Sequence, residues 1–335
     1  MWAFLYIACS AGFLDGLAAL IDPDTVPTHF KKRCVDITQL STTPSRTVIH
    51  FADGTTHETD VVVGADGVRS SVRRFVIGPE ADERALVSMN TMAYRGLVGL
   101  ETLKKAGMKV APEMSPLLNC WMGYGRHIIT FPIKHDTVLN IVAFVADFDK
   151  PMLPADPNGA RSWVQEVTQK ELLDQYEGWG EDALIMLKCI ERPSRWSVHG
   201  IYPPLKTFVK GNVALLGDAA HGMLPHLGAG AGAGIEDAYV PSRLLGHPQT
   251  TSSNLEAVLG AYDAVRVPRD AYITLGSKAA GDLYHGHGPS GPTNEARKAD
   301  LKELWEKVWH HDIDEEIKEC VRMLTESGVY ASPVE

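Results

Sequence analysis

The stretch from Val213 to Ala238 limits this chain more than any other. It reads Val213-Ala214-Leu215-Leu216-Gly217-Asp218-Ala219-Ala220-His221, and then Pro225-His226-Leu227-Gly228-Ala229-Gly230-Ala231-Gly232-Ala233-Gly234-Ile235-Glu236-Asp237-Ala238. An uninterrupted apolar run predicts a buried strand, which delivers one carboxylate, Asp218, at its C-terminal end. A glycine-rich loop follows, and then the start of a helix. The carboxyl ends of parallel strands are where α/β proteins bind ligands. Alternate glycines let the backbone approach a flat ligand or a phosphate closely. A helix N-terminus adds unpaired N–H donors and the positive end of the dipole. A tight turn that merely packs helix on sheet accounts for the glycines but not for the whole order of strand, Asp, glycine loop and helix.

A second strand end repeats the theme. Val61-Val62-Val63 predicts a strand buried on both faces, running into Gly64-Ala65-Asp66-Gly67-Val68-Arg69-Ser70. Alone, this Asp-Gly can be a strand-to-helix turn with an N-cap, followed by a helix from Ser70 or Ser71 through Phe75. Upstream, Val48 to Phe51 and Thr59 to Val63 read as a hairpin about Asp53-Gly54. Met92 to Leu97, His127 to Phe131 and Val138 to Val145 predict a mostly antiparallel sheet; Ala160 to Leu187 and the chain beyond Ile235 are helical in pattern. The order predicts an α/β domain split by an inserted α+β domain.

These residues carry a resemblance. Gly217-Asp218-Ala219-Ala220-His221 and its glycine run resemble the second flavin-binding motif of single-component flavoprotein aromatic hydroxylases. Ala65-Asp66-Gly67 with Arg69 resembles the Asp-Gly motif of the same family. Phe13-Leu14-Asp15-Gly16-Leu17, His29 to Arg33, Tyr94-Arg95-Gly96, Tyr262 to Arg269 and Trp309-His310-His311-Asp312 resemble further segments of a salicylate-hydroxylase-like subgroup. The resemblance implies a split, incomplete Rossmann-like FAD-binding domain with an inserted α+β substrate domain and C-terminal helices. The expected boundaries are 1–80 and 201–285 for the two cofactor parts, 81–200 for the substrate sheet and 286–335 for the last helices.

It further implies an FAD- and NAD(P)H-dependent monooxygenase that hydroxylates a phenol or aromatic acid with O2 through a flavin C4a-hydroperoxide. Asp66, Gly67, Arg69, Gly217, Asp218, Pro225, Gly228, Ala229, Gly230, Ala231 and Gly232 would then hold the cofactor. Arg95 would anchor an anionic substrate through its planar guanidinium, His226 would handle a proton, and His221 would orient backbone near Asp218. The chain departs from the family at its front, where no G-x-G-x-x-G, the segment that grips the pyrophosphate, is found. It therefore resembles a member lacking its first segment, which predicts loose FAD binding and leaves open a non-catalytic remnant. A nicotinamide dehydrogenase is the other rival, disfavoured by the same motif missing at the front.

Composition narrows the rest. With 44% hydrophobic and 22% charged residues the chain is globular in character, and a net charge of −10 disfavours nucleic acid as a partner. The five cysteines are scattered and show no zinc spacing, as expected for reduced thiols of a cytoplasmic protein. Residues 1–14 are uncharged but fall short of the ~20 apolar residues of a membrane span, so stable membrane anchoring is not expected. Phe13, Leu14, Leu17, Leu20 and Ile21 are instead spaced as the buried stripe of a helix. No metal site is expected: Trp309 to Asp312 with Asp314, Glu315 and Glu316 reads as a solvated helix start, and His285-Gly286-His287-Gly288 as a flexible loop.

Overall fold

A computed structural model describes residues 10–41, 45–109, 118–155, 163–302 and 304–332. The elements run α1 (Ser10–Ala18), β1 (Cys34–Leu40), β2 (Arg46–Phe51), β3 (Thr56–Thr59), β4 (Val62–Gly64), α2 (Ser71–Ile77), α3 (Pro79–Ala85), β5 (Leu86–Gly99), α4 (Leu100–Lys105), β6 (Asn119–Met122), β7 (Arg126–Ile133) and β8 (Val138–Ala146). Then come β9 (Val164–Glu166), α5 (Gln169–Asp174), α6 (Glu181–Lys188), β10 (Ser194–Ile201), β11 (Val209–Lys210), β12 (Val213–Leu215), α7 (Asp218–His221), α8 (Gly230–Leu245), α9 (Leu255–Tyr284), α10 (Asn294–Leu301), α11 (Glu306–Trp309) and α12 (Ile313–Glu326).

Three sheets organise these elements. β1-β2-β3 is a small antiparallel sheet; β6-β7-β8-β5-β10-β9 is the six-stranded antiparallel sheet of the insertion; β11-β12-β4 joins the two ends of the split domain. In the last sheet β12 and β4 are parallel, with Val213 beside Val62 and Leu215 beside Gly64. This register places the Asp66-Gly67 turn and the Gly217-Asp218 turn at the same edge. Gly64 has no Cβ because α2 lies directly on the strand: a methyl there would stand 2.6 Å from Val72 Cβ.

Each half has its own core. Val62, Val72, Val213, Leu215, Val240, Leu259 and Tyr262 pack in the half built on β4 and β12. Tyr94, Leu103, Ile128, Ile141, Tyr176 and Met186 pack behind the six-stranded sheet. α9 runs ~45 Å at 1.5 Å per residue, from Leu259 in the first core to Leu283 and Tyr284 in a third small cluster with Leu227. It is the strut between the halves.

Several sequence expectations need correction. The hairpin partner of β2 is Thr56–Thr59, and Val62–Gly64 belongs to a different sheet. Val63 is 41% exposed rather than buried, because β4 is an edge strand. Within Ala160 to Leu187 the chain forms strand β9 before helices α5 and α6, since Val164–Glu166 pairs with β10; residues 160–162 lie outside the described part. α1 ends at Ala18, ahead of Leu20 and Ile21, and Leu14, Leu17, Leu20 and Ile21 are all exposed rather than forming a buried stripe. The uncharged residues 1–9, with Cys9, lie outside the described part; Cys34, Cys120, Cys189 and Cys320 are free thiols. Among the described residues no helix is long and apolar enough to cross a membrane.

Candidate functional site

The site is built at the shared edge of β4 and β12. Asp66 turns its carboxylate onto the start of α2, accepting from Ser71 N–H at 2.7 Å, Val72 N–H at 3.3 Å and the Ser70 hydroxyl. The Asp-Gly turn is thus a helix cap in this structure, one of the two readings its sequence allowed. Gly67 occupies a left-handed conformation at φ 80°. Arg73, almost wholly buried, donates to Val68 C=O at 2.9 Å and Ala219 C=O at 3.3 Å, and pairs with Asp82 at 2.7 Å. One guanidinium therefore stitches the two motif turns together. Arg69 is exposed and lies 3.8 Å over the Trp163 ring, which in turn stacks on His199.

The second turn is differently disposed. Gly217 sits at φ 56° and ψ −138°, a conformation that strongly favours glycine. Asp218 follows as the first residue of α7, exposed, and no hydrogen bond or ion pair holds its carboxylate among the described residues. Pro225 is exposed and accepts from Gly228 N–H at 3.0 Å, with Gly228 at φ 66°. Ala229 precedes α8 without any side-chain cap, so the N–H groups at Gly230, Ala231 and Gly232 keep their free direction. A methyl on Gly232 would meet nothing within 4 Å, and one on Gly234 would come within 3.3 Å of Gly217 Cα. The first opens space in front of the loop, and the second lets the loop close on the strand end.

Behind the loop lies a cavity of about 300 Å³, lined by His226, His285, Met89, Thr91, Phe148 and Met152, with Lys278 and Asp282 paired at 2.7 Å on its wall. His226 presents an Nδ1 with no hydrogen-bond partner. His285 and His127, both buried, share a hydrogen bond of 2.8 Å between His285 Nε2 and His127 Nδ1. Phe144 stacks on His127 at 4.6 Å. The sequence missed this cluster: His285 was expected in a flexible loop, but it ends α9 and turns inward. Arg95 stands apart from it. It is exposed on β5, 5.3 Å over the Trp196 ring, and does not line this cavity.

Burial sets the charge state of the cluster. It lowers the pKa of His226 to about 3, with His285 adding repulsion, and that of His285 to about 4, with His287 adding repulsion. His127 is held well below the ordinary imidazole range by burial and then by its two neighbours. The folded pKa values lie below the unfolded value of about 6.5, so the unfolded chain takes protons first as pH falls. Stability is therefore full above that value and is lost progressively down to the folded pKa values. The loss reaches up to about 1.4 kcal/mol per pH unit for each neutral histidine. Denaturation midpoints should drop between about pH 6 and pH 4.5, and His226→Phe should flatten that slope; an equal slope in the variant would remove His226 from the account.

Comparison with known proteins agrees with this architecture. The sequence profile of the FAD binding domain family matches residues 22–274. A salicylate hydroxylase of Pseudomonas putida is 36% identical over 316 residues, spanning 92% of this chain and 70% of the relative. The 6-methylsalicylate 1-monooxygenase atA of Aspergillus terreus (strain NIH 2624 / FGSC A1156) is 32% identical over 305 residues, spanning 91% and 64%. Among solved structures, a salicylate hydroxylase substrate complex superposes with a TM-score of 0.81 at 35% identity, covering 92% of this chain and 74% of that one. Klebsiella pneumoniae HpxO complexed with FAD and uric acid shares the fold, with a TM-score of 0.66 at 22% identity over 93% of this chain and 71% of that one. The free Asp218 carboxylate, the uncapped start of α8 and the open glycine face fit a flavin dinucleotide. The chain belongs to the FAD-binding-domain family, and within it to the salicylate-hydroxylase-like FAD-dependent monooxygenases.

Proposed function

We propose that the chain hydroxylates a phenolic or aromatic-acid substrate, consuming one NAD(P)H and one O2 per turnover and releasing water. The observation that carries this reading is the cavity of about 300 Å³, lined by His226, a residue of the Pro225–Gly232 loop itself. Such a volume admits a single aromatic ring and its substituents. FAD supplies the electron transfer and the activation of O2 when bound. Asp218 and the start of α8 would hold it, the carboxylate by accepting from a hydroxyl and the helix N–H groups by facing negative charge.

Phe148, Met89 and Met152 line the cavity with the apolar surface that keeps water from the reacting ring. His226, neutral, accepts the phenolic proton at Nδ1. Lys278, paired with Asp282 on the cavity wall, is the cation available there to an anionic substituent.

Two measurements test the reading. NAD(P)H oxidation across a panel of phenols and aromatic acids should be stimulated by at least one member, with hydroxylated product matching O2 consumed. Asp218→Ala should weaken FAD binding by about 2 kcal/mol, the scale of a charge-assisted hydrogen bond. Unchanged affinity in a flavin titration would take Asp218 out of the cofactor site.

A further inference from the structure

Directly behind the Gly217–Asp218 turn lies a buried cluster that the proposed chemistry does not use. Asp237, on α8, is 0% exposed. Its Oδ2 accepts from Gly217 N–H at 2.8 Å and from His221 Nε2–H at 2.6 Å, and its Oδ1 accepts from Arg266 Nε–H at 2.9 Å. Both carboxylate oxygens are therefore held, and the group cannot rotate. His221, Asp237 and Asp270 are close enough together to suggest a cation site. Arg266 already fills that role, since its guanidinium bonds Asp237 Oδ1 and Asp270 Oδ1, each at 2.9 Å.

The geometry has a consequence at the cofactor face. Gly217 adopts φ 56°, and the next residue is Asp218 with its free carboxylate. The Gly217 N–H is the point where the buried cluster touches this turn. We infer that Asp237 is a positioning residue of the flavin site: its carboxylate anchors the Gly217 amide and so aims Asp218, while His221 and Arg266 hold Asp237 in place. The inference rests on the reading of Asp218 as a cofactor ligand.

Asp237→Asn keeps the shape of the side chain, but one amide oxygen cannot accept from Gly217, His221 and Arg266 together. The test is a flavin titration of Asp237→Asn, Asp218→Asn and the double variant, with thermal melting of each apoprotein alongside. Asp237→Asn is expected to weaken FAD binding about tenfold. In the Asp218→Asn background the same change is expected to cost about twofold or less, because its effect passes through Asp218. An equal loss in both backgrounds, or a lower melting temperature with unchanged affinity, overturns the inference and leaves Asp237 a stabilising residue alone. Should Asp218→Asn by itself leave FAD affinity unchanged, the Asp218 reading fails and the inference with it; should Asp218→Asn weaken binding while Asp237→Asn does not, only the inference fails.

Gly217→Ala supplies an independent arm should Asp237→Asn not fold. Its added methyl would stand 3.7 Å from Gly234 Cα, so space allows it, and only the left-handed backbone opposes it. The same loss of about tenfold, vanishing in the Asp218→Asn background, is expected. Affinity unchanged by Gly217→Ala overturns the inference.

Discussion

Replacing Arg266 by methionine is expected to destabilise the fold by about 3–5 kcal/mol, the cost of breaking a buried ionic cluster from one side. Arg266 is wholly buried, and its guanidinium reaches four carboxyl groups: Asp237 through Nε, Asp270 through Nη2, and Glu236 and Glu316 through Nη1, each at 2.9 Å. Nη2 also faces Ala233 C=O at 3.3 Å. No donor of the fork is left over. Burial raises Asp270 well above the ordinary carboxyl range, with the Asp237 charge adding to it. Without the guanidinium, the remaining charges face one another in a low dielectric. Arg266→Lys is expected to recover little, because a single ammonium cannot span the same acceptors. The deficit of the Met variant, read from denaturant midpoints, is expected to shrink as pH falls from 7 to about 5, since protonation relieves the carboxylates left without a counter-charge. A loss below about 1 kcal/mol would mean that water enters and replaces the guanidinium.

His226→Phe is expected to lower kcat/KM for a phenolic acid by at least about a hundredfold, the lower range for loss of a positioned proton acceptor. Flavin affinity should stay as it was. The ring volume is retained and the contacts with His127 and Phe144, at centroid distances of 5.1 Å, survive in apolar form. What is lost is the Nδ1 acceptor. Burial makes this imidazole a weak base in the empty cavity. An anion bound beside it offsets that penalty, so proton uptake and anionic-substrate binding become linked. Substrate affinity in the native protein should accordingly be stronger at pH 6 than at pH 8, and the variant should lose that dependence. An unchanged kcat/KM would move the proton acceptor elsewhere.

How far the sequence revealed all this depends on the span of each interaction. The strand ends at Gly64 and Leu215, the helix start near Ser71 and the glycine loop are local patterns, and the structure reproduces them. The roles of Asp237 and Arg266 are not local. Both residues stand inside stretches that resemble family segments, but their partners come from four helices, and no periodicity links Glu316 to Arg266. Glu316 was expected to be a solvated acid for that reason; it is part-buried and also meets His311 at 2.9 Å. That Arg95 lies away from the cavity was not legible for another reason. Alternation along a strand assigns two faces but does not say which faces the ligand. His285 was obscured by the glycines around it, which masked a helix end whose geometry turns the ring inward.

The parallel pairing of β4 with β12 has a bearing on how the protein assembles. Its two strands are about 150 residues apart, so joining them closes a loop that contains the whole six-stranded sheet. Only three residue pairs make the seam. Such a seam gains little until its ends are already near, which favours prior collapse of the insertion into its own core. On the ribosome, the Asp66 turn waits through synthesis of the entire substrate sheet for its counterpart at Gly217. The cofactor face is thus among the last surfaces to mature, and flavin present at that stage would act as a template, capturing the seam as it closes.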